Sequence, residues 1–170
     1  MVRIQVKHGD REFLYECQNT CQIDEIAPEL IQISNLQYKI DHLLLRLEPL
    51  LSPFLKNPKV IPLIRALSEA QSYASKDQVL YNKAISFYVM RDYVQAIERQ
   101  VMQNYQLLGF EDANQVQQLL ADVEVLQAQS TELHWAGKEL VRDKRLCDYI
   151  GMNEKTKFVL RLQPHNPNPA

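Results

Sequence analysis

The strand signals of this chain lie at its two ends, and that placement constrains the fold more than any other feature. Val2 to Lys7 alternates apolar and polar residues, with Val2, Ile4 and Val6 on one face. His8-Gly9-Asp10-Arg11 supplies turn chemistry. Glu12 to Cys17 then reads as a second strand, with Phe13 and Tyr15 opposite Leu14 and Cys17. Two short runs around a Gly-Asp turn predict a β-hairpin. A third strand-like run, Lys157 to Leu162, comes only near the other end. A lone hairpin is marginal in water. The economical solution brings the last strand back beside the first, in parallel, with the first helix packed across the small sheet.

Helical patterns fill the space between. Ile23, Ile26, Leu30 and Ile33 recur at helical spacing, Pro28 is tolerated near the first turn, and Asn35 marks a break. A second helix carries Ile40, Leu43, Leu44, Leu47 and Leu50, and Pro49 and Pro53 close it. Ile61, Ile64 and Leu67 stripe a third. A long helix is predicted from about Val79 to Leu108, with Gly109 as its stop. From Asp112 a heptad continues through Val116, Leu119, Val123, Leu126, Ser130, Leu133, Gly137 and Leu140. The expected architecture is therefore α+β and mostly helical. A split β-grasp sheet is built from 1–35 and 144–163, 36–143 forms a helical insertion, and 164–170 is a flexible tail.

Composition excludes several classes. A 46% hydrophobic, 24% charged chain has enough apolar residues for a core. Four glycines favour helices over a turn-rich sandwich. A net charge of −2 gives no bulk attraction to nucleic acid. No uncharged apolar run approaches the ~20 residues of a membrane span, and neither a signal peptide nor a lipidation motif is expected. Cys17, Cys21 and Cys147 are an odd set without zinc-finger spacing, and His8, His42, His134 and His165 do not cluster. Reduced thiols and no cofactor are expected. No nucleophile–base pair or phosphate loop stands out, so no enzyme activity and no small-molecule substrate are expected. Asp24-Glu25 and Glu111-Asp112 sit where acids complement helix starts.

Two resemblances add to this. Leu133 to Leu140, Arg145-Leu146-Cys147-Asp148-Tyr149 and Val159-Leu160-Arg161-Leu162 resemble the C-terminal half of ubiquitin, and Met1 to Lys7 resembles its opening strand. No diglycine end is present, so the resemblance implies fold and not conjugation. It also makes Leu133 to Ala136 a strand and Gly137 a turn, where the heptad makes them helix. The helical reading is preferred here because the stripe continues to Leu140. Trp135-Ala136-x-Lys138-Glu139-Leu140-x-Arg142-x-Lys144-x-Leu146-x-Asp148-Tyr149-x-Gly151-x-Asn153-Glu154-Lys155-Thr156-Lys157 is similar to the C-terminal signature of the cilia- and flagella-associated protein 298 (Kurly) family. Met1-Val2 and Val6-Lys7-x-Gly9-Asp10 resemble that family's opening. The long charged C-terminal extension of the family does not appear in these 170 residues, so a short or divergent member is expected. The resemblance implies a non-enzymatic protein–protein interaction factor of motile cilia. It would act in cytoplasm and cilium, support axonemal dynein arm assembly and ciliary motility, and have axonemal or dynein-assembly proteins as partners, with tubulin tails a further expectation from the basic C-terminal surface. A resident structural component of the axoneme and a ubiquitin-like adaptor unrelated to cilia are the alternatives.

The charge distribution suggests where a partner docks. From Gly137 to Gln163 there are seven cations, Lys138, Arg142, Lys144, Arg145, Lys155, Lys157 and Arg161, against four acids. That segment is +3 and the remainder −5, so a basic docking surface for an acidic partner is expected there. An ordinary solvated face is an equally good reading. Trp135, Tyr149 and Gly151 are structural candidates. Trp135 is expected as a packed aromatic, Tyr149 with its hydroxyl on a nearby backbone group, and Gly151 at positive φ before the last strand. Tyr73, Tyr81, Phe87, Tyr88, Tyr93 and Tyr105 make the helical middle rich in aromatics.

Overall fold

The computed structural model describes residues 1–122, 124–152 and 157–164. Five strands form one mixed sheet in the order β2-β1-β5-β3-β4. They are β1 (Val2–His8), β2 (Arg11–Cys17), β3 (Glu132–Trp135), β4 (Lys138–Glu139) and β5 (Phe158–Gln163). The hairpin and the parallel return of the last strand are as expected. Ile4 lies opposite Phe158 and Val6 opposite Leu160 in the parallel pair. With β1 and β2 antiparallel, this is the β-grasp arrangement. The alternation sets one buried face: Val2, Ile4 and Val6 on β1, Phe13, Tyr15 and Cys17 on β2, Phe158, Leu160 and Leu162 on β5. Cys17 therefore shares the face of Phe13 and Tyr15 instead of lying opposite them with Leu14, because side chains two apart on a strand point the same way.

The contacts divide the chain into two compact units. The first is Met1–Asn35, Ser75–Phe87 and Glu124–Ala170, and it contains the sheet. The second, Leu36–Ala74 with Tyr88–Val123, is helical. Residues 75–87 and 124–143, which were expected in the insertion, are grouped with the sheet. The tail beyond Pro164 lies outside the described residues.

Helix α1 (Ile23–Leu51) runs without the break expected at Asn35. The Asn35 side-chain amide does not turn on its own backbone. It donates to the Leu126 carbonyl at 2.9 Å and accepts from the Leu126 N–H at 3.0 Å. Both amide functions are used in a tertiary contact, so the competition that makes asparagine a helix breaker is absent. Tyr15 and Ser34 tie the start of α1 to the sheet. The Tyr15 hydroxyl donates to Glu29 at 3.0 Å, and Ser34 Oγ lies 3.4 Å from His8 Nδ1.

The long helix expected from Val79 to Leu108 is interrupted. Asp77–Leu80 is one short turn of helix (α3), and the following helix is Phe87–Asn104 (α4). Between them Asn82 adopts φ 57°, Ala84 bridges Leu14, and the Ile85 N–H donates to the Leu14 carbonyl at 2.8 Å. The segment covers the open edge of β2, where unpaired backbone groups would otherwise remain.

The preferred helix across Glu132 to Leu140 is also overturned. Residues 132–135 and 138–139 are strands joined by Ala136-Gly137, at φ 51° and 82°. Positive φ at both residues of a two-residue loop defines the hairpin turn whose twist matches the strands. Leu133 pairs with Leu162, and this gives β5 its second neighbour. A helix there would leave β5 with an open edge. The heptad had counted only apolar spacing.

In the helical unit, α2 (Ile61–Ala74) buries Leu63, Ala66, Leu67, Ala70 and Ala74, and α4 buries Met90, Val94, Ile97 and Val101. These are i, i+3, i+4 stripes. Tyr73 and Tyr93 meet with ring centroids 5.1 Å apart. Asp112 caps α5 (Ala113–Leu120) by accepting from the Gln115 N–H at 3.0 Å, the role expected for that acid. Lys39 on α1 is buried and forms an ion pair with Asp122 at 2.6 Å, with Glu98 at 3.6 Å.

Candidate partner-binding surface

The C-terminal block that drew attention in the sequence builds one side of the sheet unit. Trp135 packs edge-on against Phe158 with centroids 5.8 Å apart. After β4 the chain turns through 141–146 into a single helical turn, α6 (Cys147–Ile150). The Tyr149 hydroxyl accepts from the Val141 N–H at 2.7 Å. The Asp148 carboxylate accepts from the Arg145 N–H at 2.8 Å and closes the turn before α6. Gly151 ends α6 at φ 73°, ψ −163°, a conformation closed to other residues in practice.

The seven candidate cations have different environments. Arg142 is half-buried, and its guanidinium donates to the carbonyls of Ala128 at 2.7 Å and Thr131 at 2.8 Å. Arg145 donates to the Thr20 carbonyl at 2.9 Å. Backbone bonds run alongside: Ile23 to Lys144, Asp24 to Arg142, Leu146 to Cys21 and Cys147 to Asn19. Residues 142–147 are thus laced onto 19–24, the link between β2 and α1. Arg142 thus holds two backbone carbonyls, and Arg145, though exposed, holds one. Lys144 lies exposed, 5.8 Å from the centre of the Tyr149 ring. Lys138 and Lys157 are exposed, and Arg161 projects from the outer face of β5 between the register positions of Lys7 and His134. Lys155, with Asn153, Glu154 and Thr156, lies outside the described residues.

His134 is 3.3 Å from Glu132 on the same strand. Among the described residues no cluster of histidine, cysteine and acidic side chains could hold a metal. Cys17, Cys21 and Cys147 are free thiols. Burial, reinforced by Cys21, pushes the Cys17 thiol up to about 12, so it is a poor nucleophile at neutral pH. No described helix is long and apolar enough to cross a membrane. The sequence reading missed Asn35 and Lys39 as organising features, and the strand and turn that the ubiquitin resemblance offered for Leu133 to Gly137 are what the fold contains. Gly137 was the available signal for the turn, but the heptad outweighed it.

The fold is that of an α+β protein with a five-stranded β-grasp sheet and a helical unit. A family model described as cilia- and flagella-associated protein 298 matches residues 131–170, the stretch that forms the β3–β4 hairpin, α6 and β5. Cilia- and flagella-associated protein 298-B of Xenopus laevis is 24% identical over 204 aligned residues, which cover 96% of this chain and 75% of that protein. The Danio rerio protein is 23% identical over 221, covering 96% and 76%. The Rattus norvegicus protein is 32% identical over 108, covering 58% of this chain and 37% of its own length. The chain is similar to the cilia- and flagella-associated protein 298 family, the resemblance its C-terminal block suggested. Aligned lengths of 204 and 221 exceed the chain's 170 residues, so these relatives carry segments without a counterpart here. No solved structure matches the chain.

Proposed function

We propose that this chain is a non-enzymatic protein–protein interaction factor of motile cilia and flagella that supports axonemal dynein arm assembly, working in the cytoplasm and at the axoneme. The observation carrying this reading is the family match over 131–170, together with similarity to ciliary relatives along most of the chain. The arrangement of that block supports a scaffold. Its tyrosine, aspartate and two of its arginines hold backbone in place, while Lys138, Lys144, Lys157 and Arg161 remain exposed for an acidic protein partner.

The test is a tagged chain in a ciliated cell, fractionated into cytoplasm, detergent-soluble ciliary matrix and salt-washed axoneme. A cytoplasmic pool, with dynein arms missing from axonemes after deletion, is the expected result. Retention on the washed axoneme with arms intact after deletion would replace assembly by a resident structural role. Normal cilia after deletion would remove the ciliary reading altogether.

A further inference from the structure

The helical unit contains an open groove of about 770 Å³, lined by one face of α1, one face of α5 and Phe110 between them. On α1 the lining positions are His42, Leu45, Arg46, Pro49 and Leu50. These are i, i+3, i+4, i+7 and i+8, one continuous helical stripe. On α5 they are Gln115, Gln118 and Leu119, again i, i+3, i+4. This stripe is not the one that makes the core. Leu43, Leu47 and Leu51 do that, at 0–4% exposure, while Leu45 is 73% exposed. A leucine so exposed in the wall of a groove that Pro49, Leu50, Phe110 and Leu119 also line is apolar surface of the kind partners cover.

Two helical stripes facing one slot are the receptor half of a helix-in-groove contact. A third helix whose own i, i+3, i+4, i+7 stripe enters between them would fit such a slot. The polar lining sets its charge. His42 and Arg46 are the ionisable groups on the walls, the rest of the polar lining is glutamine amide, and no carboxylate lines the groove. Among the described residues neither the His42 nor the Arg46 side chain has a hydrogen-bond or ion-pair partner, which leaves both available. We infer that this groove receives an amphipathic helix of a partner protein, with an apolar stripe against Leu45 and Phe110 and acidic residues on the flank that meets Arg46 and His42.

The experiment uses the purified full chain and two fluorescein-labelled peptides of about 20 residues, long enough to form helix in water. Both carry leucine at heptad spacing, one with glutamate flanks and one with lysine flanks. Fluorescence anisotropy at low salt is expected to give the acidic peptide about tenfold tighter binding. Leu45→Asp should weaken it by about tenfold or more, and Arg46→Glu should reverse the preference between the peptides. Equal binding of the two peptides overturns the inference, as does binding that survives Leu45→Asp. Light scattering covers the other occupant. A wild-type dimer that Leu45→Asp makes monomeric would give the groove to a second copy, and the inference falls. Arg46 is exposed, so its reversal tests charge without touching the core. Because the readout is binding by purified protein, it stands or falls separately from the ciliary assignment.

Discussion

The sheet unit and the helical unit achieve burial in different ways. The sheet unit draws its core from residues far apart in sequence: Ile4 against Phe158, Val6 against Leu160, Leu133 against Leu162. Its polar side chains are spent on backbone groups across the same distances, as with Asn35 on Leu126 and Arg145 on Thr20. The helical unit buries local stripes within each helix and admits a charge, Lys39, into its interior. Uniqueness in the first unit comes from long-range hydrogen bonding. In the second it comes from side-chain packing, which is more forgiving of substitution.

Four substitutions test that contrast, from the largest effect to the smallest. Leu160→Ala empties the centre of the parallel pair, where Leu160 is fully buried. It should cost about 2–5 kcal/mol, read by urea unfolding. A loss under about 1 kcal/mol would mean that the sheet is not the unit's core. Asn35→Ala leaves both polar groups of Leu126 without their side-chain partner and should cost about 1–3 kcal/mol, despite alanine's better helix propensity. A stabilised variant would show that Asn35 is only a tolerated helix breaker. Lys39→Met should change stability by no more than about 1 kcal/mol in either direction. It fills a similar volume, and the Asp122 side chain it abandons is 86% exposed and stays hydrated. A large loss would mean that the helical unit depends on its ion pair as the sheet unit depends on its hydrogen bonds. Ala136→Gly should raise the melting temperature slightly, by relieving roughly 1 kcal/mol of left-handed strain at φ 51°. A lower melting temperature would point to a packing role for the exposed Ala136 methyl.

Much of the fold was legible where local pattern and global need coincide. Val2 to Cys17 alternates with period two and carries a turn between its halves, and it forms the hairpin. The parallel return of the last strand followed from the instability of a lone hairpin. Positive φ at Gly151 and the bonded hydroxyl of Tyr149 could also be anticipated from residue type. Local pattern failed where a tertiary partner changed what a residue could do. Asn35 looks like a break because its amide usually bonds its own backbone, and only Leu126 removes that choice. Leu133 to Leu140 carries apolar spacing that a helix would also satisfy, and the unpaired side of β5 makes it a hairpin.

The candidate surface divides along the same line. That the C-terminal block is basic is a property of the sequence, visible as seven cations against four acids. Which cations already hold a backbone partner is a property of the fold. Arg142 and Arg145 face carbonyls from other segments, and a charged donor within 3 Å of a carbonyl is already engaged. The sequence by itself determined the alternation, the helical stripes and the turn residues, because these depend on neighbours one to four positions away. The tertiary structure decided the continuity of α1, the strand pairing of 132–139 and the engagement of each charge. Those depend on hydrogen-bond partners that the chain brings close only when it folds.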